Sequence, residues 1–193
     1  WADDLRRLSV RADADTGADA TVAMDSGAEG IGLCRTEHQF MGERLPLVRR
    51  VILSHDFDAE EAALAALADA QREDFRDLLR AVGDRPVTVR LLDAPMHEFL
   101  PASAAQAENE YQARMLEHMH EENPMLGVRG VRLALMHEGL YPAQVEGLFN
   151  AWVDVVSAGE ARPELEVMIP LVSIPEELLM MLRLVRRVNQ EVS

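Results

Sequence analysis

Arg35 and Arg90 are the residues whose type and position in the sequence best suit chemistry. Each closes a short apolar run, in Gly-Ile-Gly-Leu-Cys-Arg-Thr-Glu-His (30–38) and in Val-Thr-Val-Arg-Leu-Leu-Asp-Ala-Pro-Met-His-Glu-Phe-Leu-Pro (87–101). An arginine at the end of a buried strand presents a planar, permanently charged fork that matches a carboxylate or a phosphate. The competing reading is an internal ion pair, Arg35 with Glu37 or Arg90 with Asp93, in which the charge serves only the fold. Arg129, in Asn-Pro-Met-Leu-Gly-Val-Arg-Gly-Val-Arg-Leu (123–133), follows a turn-rich entry to a helix. Its plain reading is a solvated helix-start arginine. His97 and Glu98 are adjacent, which suits either acid–base work or a hydrogen bond that shapes a loop.

Other chemistry-bearing residues reduce to structure. His118 and His120 would point about 200° apart on a helix and share no metal. His38, His55 and His137 have no partner at ligand spacing. Asp13 and Asp15 are spaced like calcium ligands but lack the rest of the loop, and helix capping accounts for them better. Gly27, Gly30 and Gly32 precede a strand, whereas a dinucleotide fingerprint follows one, so they read as a helix-to-strand connection. Cys34 reads as a small buried hydrophobe.

The elements that must position these residues alternate. Strands are expected at 8–12, 31–35, 87–92 and 166–171. A helix capped by Asp15 or Thr16 is expected through about Asp25 and ended by Ser26-Gly27, and further helices at 45–53, 58–82, 108–120, 140–157 and 175–188. The helix over 58–82 is the clearest, with Leu64, Leu67, Phe75, Leu78 and Val82 at helical spacing. Residues 94–110 read as a long functional loop. Strands alternating with helices imply an α/β fold with a parallel sheet. About four βα units make the first half of a (β/α)8 TIM barrel, since a whole barrel needs about 250 residues. In such barrels the C-terminal strand ends build the active site, and there Arg35 and Arg90 fall.

Composition narrows the partners. The 193 residues carry 34 acidic residues against 19 arginines, a net charge of −15, and no lysine at all. A surface of that sign disfavours nucleic acid and anionic membranes, and without lysine no Schiff-base chemistry arises. No apolar run reaches the roughly 18 residues of a membrane span. The start Trp-Ala-Asp-Asp has no initiator Met and no secretory pattern, so the expectation is a cytoplasmic piece of a longer chain. A single cysteine fits a reducing compartment.

The blocks around Arg35, Arg90 and Arg129 resemble the phosphoenolpyruvate-binding domain of the pyruvate, phosphate dikinase family, in order from about residue 8 to about residue 180. The resemblance implies that residues 1–193 are part of a phosphoenolpyruvate/pyruvate-binding barrel domain, truncated at both ends. It implies substrate binding by Arg35, Arg90 and Arg129, with Asp93, His97 and Glu98 in support and no catalytic residue or metal ligand inside the chain. The family converts ATP, pyruvate and phosphate to AMP, phosphoenolpyruvate and diphosphate. The phosphoryl group travels on a phosphohistidine carrier domain of the same chain, within a homodimer. Its Mg2+ ligands and proton-donating cysteine are expected beyond Ser193, so Cys34 is not their counterpart and the fragment alone is expected to be inactive. At 13–17 the family usually shows Asn-Ala-Asp-Thr-Pro, where this chain has Asp-Ala-Asp-Thr-Gly. The alternatives are a phosphoenolpyruvate synthase, enzyme I of the sugar phosphotransferase system, or a non-catalytic anion-binding or dimerisation fragment. The His-Glu-Phe-Leu-Pro block (97–101) resembles the dikinases rather than the first two.

Overall fold

A computed structural model describes residues 1–40, 44–54, 56–101, 107, 110, 113, 114, 116 and 127–192. Four strands, β1 (Ala12–Asp13), β2 (Ile31–Arg35), β3 (Pro86–Arg90) and β4 (Glu164–Met168), are hydrogen-bonded in that order, and every pair is parallel. The helices are α1 (Ala2–Leu5), α2 (Gly17–Asp25), α3 (Thr36–Gln39), α4 (Leu45–Leu53), α5 (Phe57–Val82), α6 (Met96–Phe99), α7 (Val131–Met136), α8 (Leu140–Ser157) and α9 (Pro175–Val192). Sequential order with a helix after each strand is the arrangement of the first half of a (β/α)8 barrel. Among the described residues no helix is long and apolar enough to cross a membrane.

Strand alternation decides what faces the helices. Val87 and Val89 are fully buried among Phe75, Leu78 and Leu79 of α5 and Leu148 and Ala151 of α8. Thr88 and Arg90 therefore occupy the opposite, inner face. There Arg11 reaches Glu166 of β4 at 2.7 Å, and Thr88 donates to the same carboxylate, whose pKa these two bonds lower. A second apolar cluster lies at the C-terminal end of the sheet, built from Phe40, Ile52, Leu91, Leu92, Phe99 and Tyr141.

Thr16 caps α2 by accepting from the Asp19 amide at 3.1 Å, and Asp56 caps α5 in the same way. Capping thus falls to Thr16, and the expectation that Asp13 and Asp15 are capping residues is corrected. The strand expected at 8–12 contracts to Ala12–Asp13. Leu8 and Val10 are 82% and 57% exposed, and among the described residues the Val10 backbone bonds with Glu29 alone. The strand expected at 166–171 begins two residues earlier and ends three earlier, at Met168, where Pro170 lacks an amide hydrogen and Leu171 turns left-handed at φ 59°. The expected loop at 94–110 is partly structured: Met96–Phe99 form one helical turn with Phe99 buried. The helix expected at 108–120 lies mostly outside the described residues, as do His55, His118 and His120.

The pairing of α5 with α8 sets the spacing of the helical layer. A Cβ on Gly147 would stand 2.7 Å from the Ala68 carbonyl oxygen. Gly147→Ala should therefore destabilise the chain by about 2 kcal/mol in urea unfolding, despite alanine's better helix propensity; unchanged stability would refute this contact. Arg72 of α5 also grips Asp154 of α8 through two bonds of 2.7 and 2.6 Å, which lowers the Asp154 pKa. A depressed carboxylate pKa gives stability that is present above the unfolded value of about 3.9 and lost as pH falls through the folded value. Because both partners are part-exposed, Asp154→Asn should cost no more than about 1 kcal/mol at pH 7. The gap between the two proteins should close below about pH 4 in guanidinium titrations; a gap that persists there would exclude the ion pair as its source.

Candidate functional site

The parallel register brings Arg35 and Arg90 side by side, as Cα partners at the C-terminal ends of β2 and β3. The Arg35 guanidinium takes Asp13 Oδ2 at 2.8 Å, and Asp13 raises its pKa. Its partner is thus Asp13 across the strand pair, not the Glu37 expected from proximity in sequence. The Arg35 backbone amide donates to Asp15 Oδ1 at 2.6 Å, and the other oxygen of Asp15 lies 2.6 Å from His38 Nδ1.

Arg90 bonds Glu37 through Nη2 and approaches Asp93 Oδ2 through Nη1 at 3.5 Å, so the expected pairing with Asp93 is present, with Glu37 as a second partner. Arg129 donates from Nε to Asp93 Oδ1 at 2.8 Å and from Nη2 to the Asp93 carbonyl at 3.0 Å. One carboxylate, 5% exposed, thus lies between two guanidiniums, and hydrogen bonding to it raises the Arg129 pKa. Arg129 is not the solvated helix-start residue of the plain reading, as only 17% of its side chain is exposed. Glycine is required just after it, because Gly130 is left-handed (φ 58°) and packs against the left-handed Leu171.

Arg35, Arg90 and Arg129 keep 32%, 20% and 17% of their side chains exposed, while Glu37 and Asp93 beneath them keep 8% and 5%. The carboxylates aim the forks from below and leave the upper edges accessible. Arg90 Nε and Glu37 Oε2 have no partner among the described residues although both are buried. Chemically this is an array of directed donors for an anion with more than one charged group. It is not an acid–base pair, and Cys34 contributes nothing reactive, since burial pushes its thiol pKa up. Of the remaining expected residues, Glu98 is exposed and lies in the turn that Arg49 pins through the Phe99 carbonyl at 2.5 Å. The His97 side chain lies outside the described residues.

Among the described residues no three His, Cys, Asp or Glu side chains converge on a metal position. Both oxygens of Asp93 and one of Glu37 face guanidiniums. A cleft of about 470 Å3 lies to one side, between α2, α3 and α5, lined by Asp15, Thr16, His38, Arg44, Asp74 and Asp77; none of the three arginines lines it. Sequence reasoning pairs Glu37 with Arg35 and so misses its bond to Arg90, and it gives no place to Gln144 and Tyr141, which hydrogen-bond Leu92 beside Asp93. Glu37 alone left a signal, as a carboxylate two residues beyond a strand-end arginine.

A family model described as PEP-utilising enzyme, PEP-binding domain matches residues 1–193. The chain is 41% identical over 188 residues to a pyruvate, phosphate dikinase of Rickettsia bellii, covering 92% of this chain and 21% of that protein. Against the dikinase of Rickettsia prowazekii it is 40% identical over 201 residues, covering 99% and 23%. Against the chloroplastic dikinase of Mesembryanthemum crystallinum it is 42% identical over 206 residues, covering 100% and 22%. The chain thus spans about a fifth of the length of these relatives.

The shared carboxylate makes a direct prediction. Asp93→Ala leaves two neighbouring guanidiniums without their common counter-charge, which should cost about 3 kcal/mol in urea unfolding. Asp93→Asn keeps the shape but not the charge and should fall between the two. Equal stability of all three proteins would show that Asp93 does not hold the pair.

Proposed function

The chain belongs to the PEP-utilising enzyme, PEP-binding domain family, and from that premise we propose that it is the phosphoenolpyruvate/pyruvate-binding part of a longer pyruvate, phosphate dikinase. The observation that carries this is the convergence of Arg35, Arg90 and Arg129, each oriented by a carboxylate. Phosphoenolpyruvate carries a carboxylate and a phosphate on adjacent carbons, and three forks held by fixed counter-charges suit both groups. The dikinase relatives and the His-Glu-Phe-Leu-Pro block favour this reading over a phosphoenolpyruvate synthase or enzyme I.

On this proposal, a phosphohistidine on a carrier domain of the same polypeptide delivers its phosphoryl group to the enolate oxygen of pyruvate. The nitrogen–phosphorus bond breaks as the oxygen–phosphorus bond forms. The transition state spreads negative charge over three oxygens, and fixed guanidiniums stabilise it without covalent chemistry. Arg35 and Arg90 flank the transferring group from adjacent strand ends, and Arg129 approaches from the loop before α7. Asp93 and Glu37 prevent the forks from rotating away between turnovers, so little reorganisation accompanies the reaction. Magnesium, when bound, would neutralise charge on the substrate oxygens; its ligands are placed outside this chain, as is the proton donor. The parent enzyme is a cytoplasmic homodimer on this reading.

The arginines are tested in the full-length enzyme by separating the half-reactions. Arg35→Ala, Arg90→Ala and Arg129→Ala should leave ATP-dependent phosphorylation of the carrier histidine intact. Transfer to pyruvate should fall by about 10²–10³ in single-turnover kinetics. Lysine substitutions should restore only part of the loss. Near-normal transfer in these variants would reduce the cluster to a structural ion-pair network.

A further inference from the structure

The C-terminal end of β3 poses a problem that no strand solves. Beyond Arg90 the chain leaves the ladder, yet Leu91 and Leu92 are 1% and 0% exposed, so their backbone polar groups have no water to turn to. The Leu91 amide still reaches β4, through the Met168 carbonyl at 3.0 Å. Three side chains, all 0% exposed, meet the Arg90 carbonyl and the amide and carbonyl of Leu92. Thr36 Oγ1 donates to the Arg90 carbonyl at 3.0 Å, and Gln144 Nε2 donates to that same Thr36 oxygen at 3.2 Å. The Leu92 amide donates to Gln144 Oε1 at 2.9 Å, and Tyr141 Oη donates to the Leu92 carbonyl at 2.9 Å.

Every link adjoins the arginine cluster without touching its open face. Thr36 follows Arg35, its hydroxyl grips Arg90, and Leu92 precedes Asp93, the carboxylate shared by Arg90 and Arg129. We propose that Gln144 and Tyr141 of α8, acting through Thr36 and Leu92, are positioning residues that set the relative placement of the three arginines. The inference rests on the reading of the arginines as the substrate clamp. Gln144 suits the task because its amide donates and accepts at once, bridging β2's exit to β3's exit. Burial raises the Tyr141 phenol pKa, so the hydroxyl stays protonated and remains a donor. An apolar residue at either position fills the space but leaves a buried carbonyl or amide unmet, and the segment carrying Asp93 then shifts to find a partner.

The test uses the full-length enzyme and the phosphoenolpyruvate-side half-reaction, with carrier phosphorylation by ATP measured in parallel. Gln144→Leu and Tyr141→Phe should each raise the phosphoenolpyruvate KM or slow single-turnover transfer by about tenfold or more, since displacements near 1 Å at a reacting centre are costly. The ATP-side reaction should not change. Leu148→Ala, on the same helix but in the other apolar cluster, serves as the stability control. It should destabilise the fold while changing transfer less than twofold. In an Arg90→Ala background the Gln144→Leu and Tyr141→Phe effects should largely vanish, because they act through the same group. Should Gln144→Leu fail to fold, Tyr141→Phe removes one oxygen and decides the matter alone. Transfer unaffected by either substitution, or impaired equally by Leu148→Ala, overturns the inference. An Arg90→Ala enzyme with normal transfer would instead overturn the substrate-clamp reading on which it rests.

Discussion

Two guanidiniums within reach of one carboxylate is an arrangement that water would disperse, and the fold keeps it together by burying the carboxylate. Asp93 is 5% exposed and divides its oxygens between Arg90 and Arg129. Glu37, equally sheltered, holds Arg90 from the other side. Much else around the site keeps this geometry in place. The parallel register sets Arg35 beside Arg90, the left-handed Gly130 lets the chain turn away after Arg129, and the apolar cluster of Leu91, Leu92 and Phe99 anchors the segment that bears Asp93. Arg35, Arg90 and Arg129 lie among four carboxylates, Asp13, Asp15, Glu37 and Asp93. The cluster therefore offers directed N–H groups rather than an excess of positive charge.

The layering of the fold was legible because it follows from local rules. Apolar spacing marked α5, and a cap and a closing glycine bracketed α2. The strand-end position of Arg35 and Arg90 is legible too, since a short apolar run that stops at a charge marks where a buried strand meets water. What the chain alone could not disclose depends on register. Asp13 rather than Glu37 meets Arg35 because β1 lies beside β2, and nothing within residues 30–38 encodes that neighbour. Gln144 and Tyr141 read as ordinary helix residues until α8 is laid against the end of β3. The segment 8–12 misled in the opposite direction: Leu8 and Val10 alternate like a half-buried strand, but alternation has no consequence where the side chains stay exposed.

Family membership and physical reading bear on the chain at different scales. The comparisons span the whole chain and identify no residue. The geometry picks out Arg35, Arg90 and Arg129 without reference to any relative, through shared carboxylates and partial burial. The chain spans about a fifth of its relatives' length, and what the described residues supply is a set of guanidiniums held in place by buried carboxylates.

The shallow seating of α9 has a consequence for how the molecule opens. Only Met181 and Val188 of its eighteen residues are buried, while Leu178, Leu179, Met180 and Leu182 face outward, and β4 beneath it keeps Met168 40% exposed. By contrast, α5 and α8 are locked along their length by Gly147 against Ala68 and by Arg72 with Asp154. Among the described residues the helical layer is therefore firmest between α5 and α8, where amide hydrogens should exchange with solvent more slowly than those of α9.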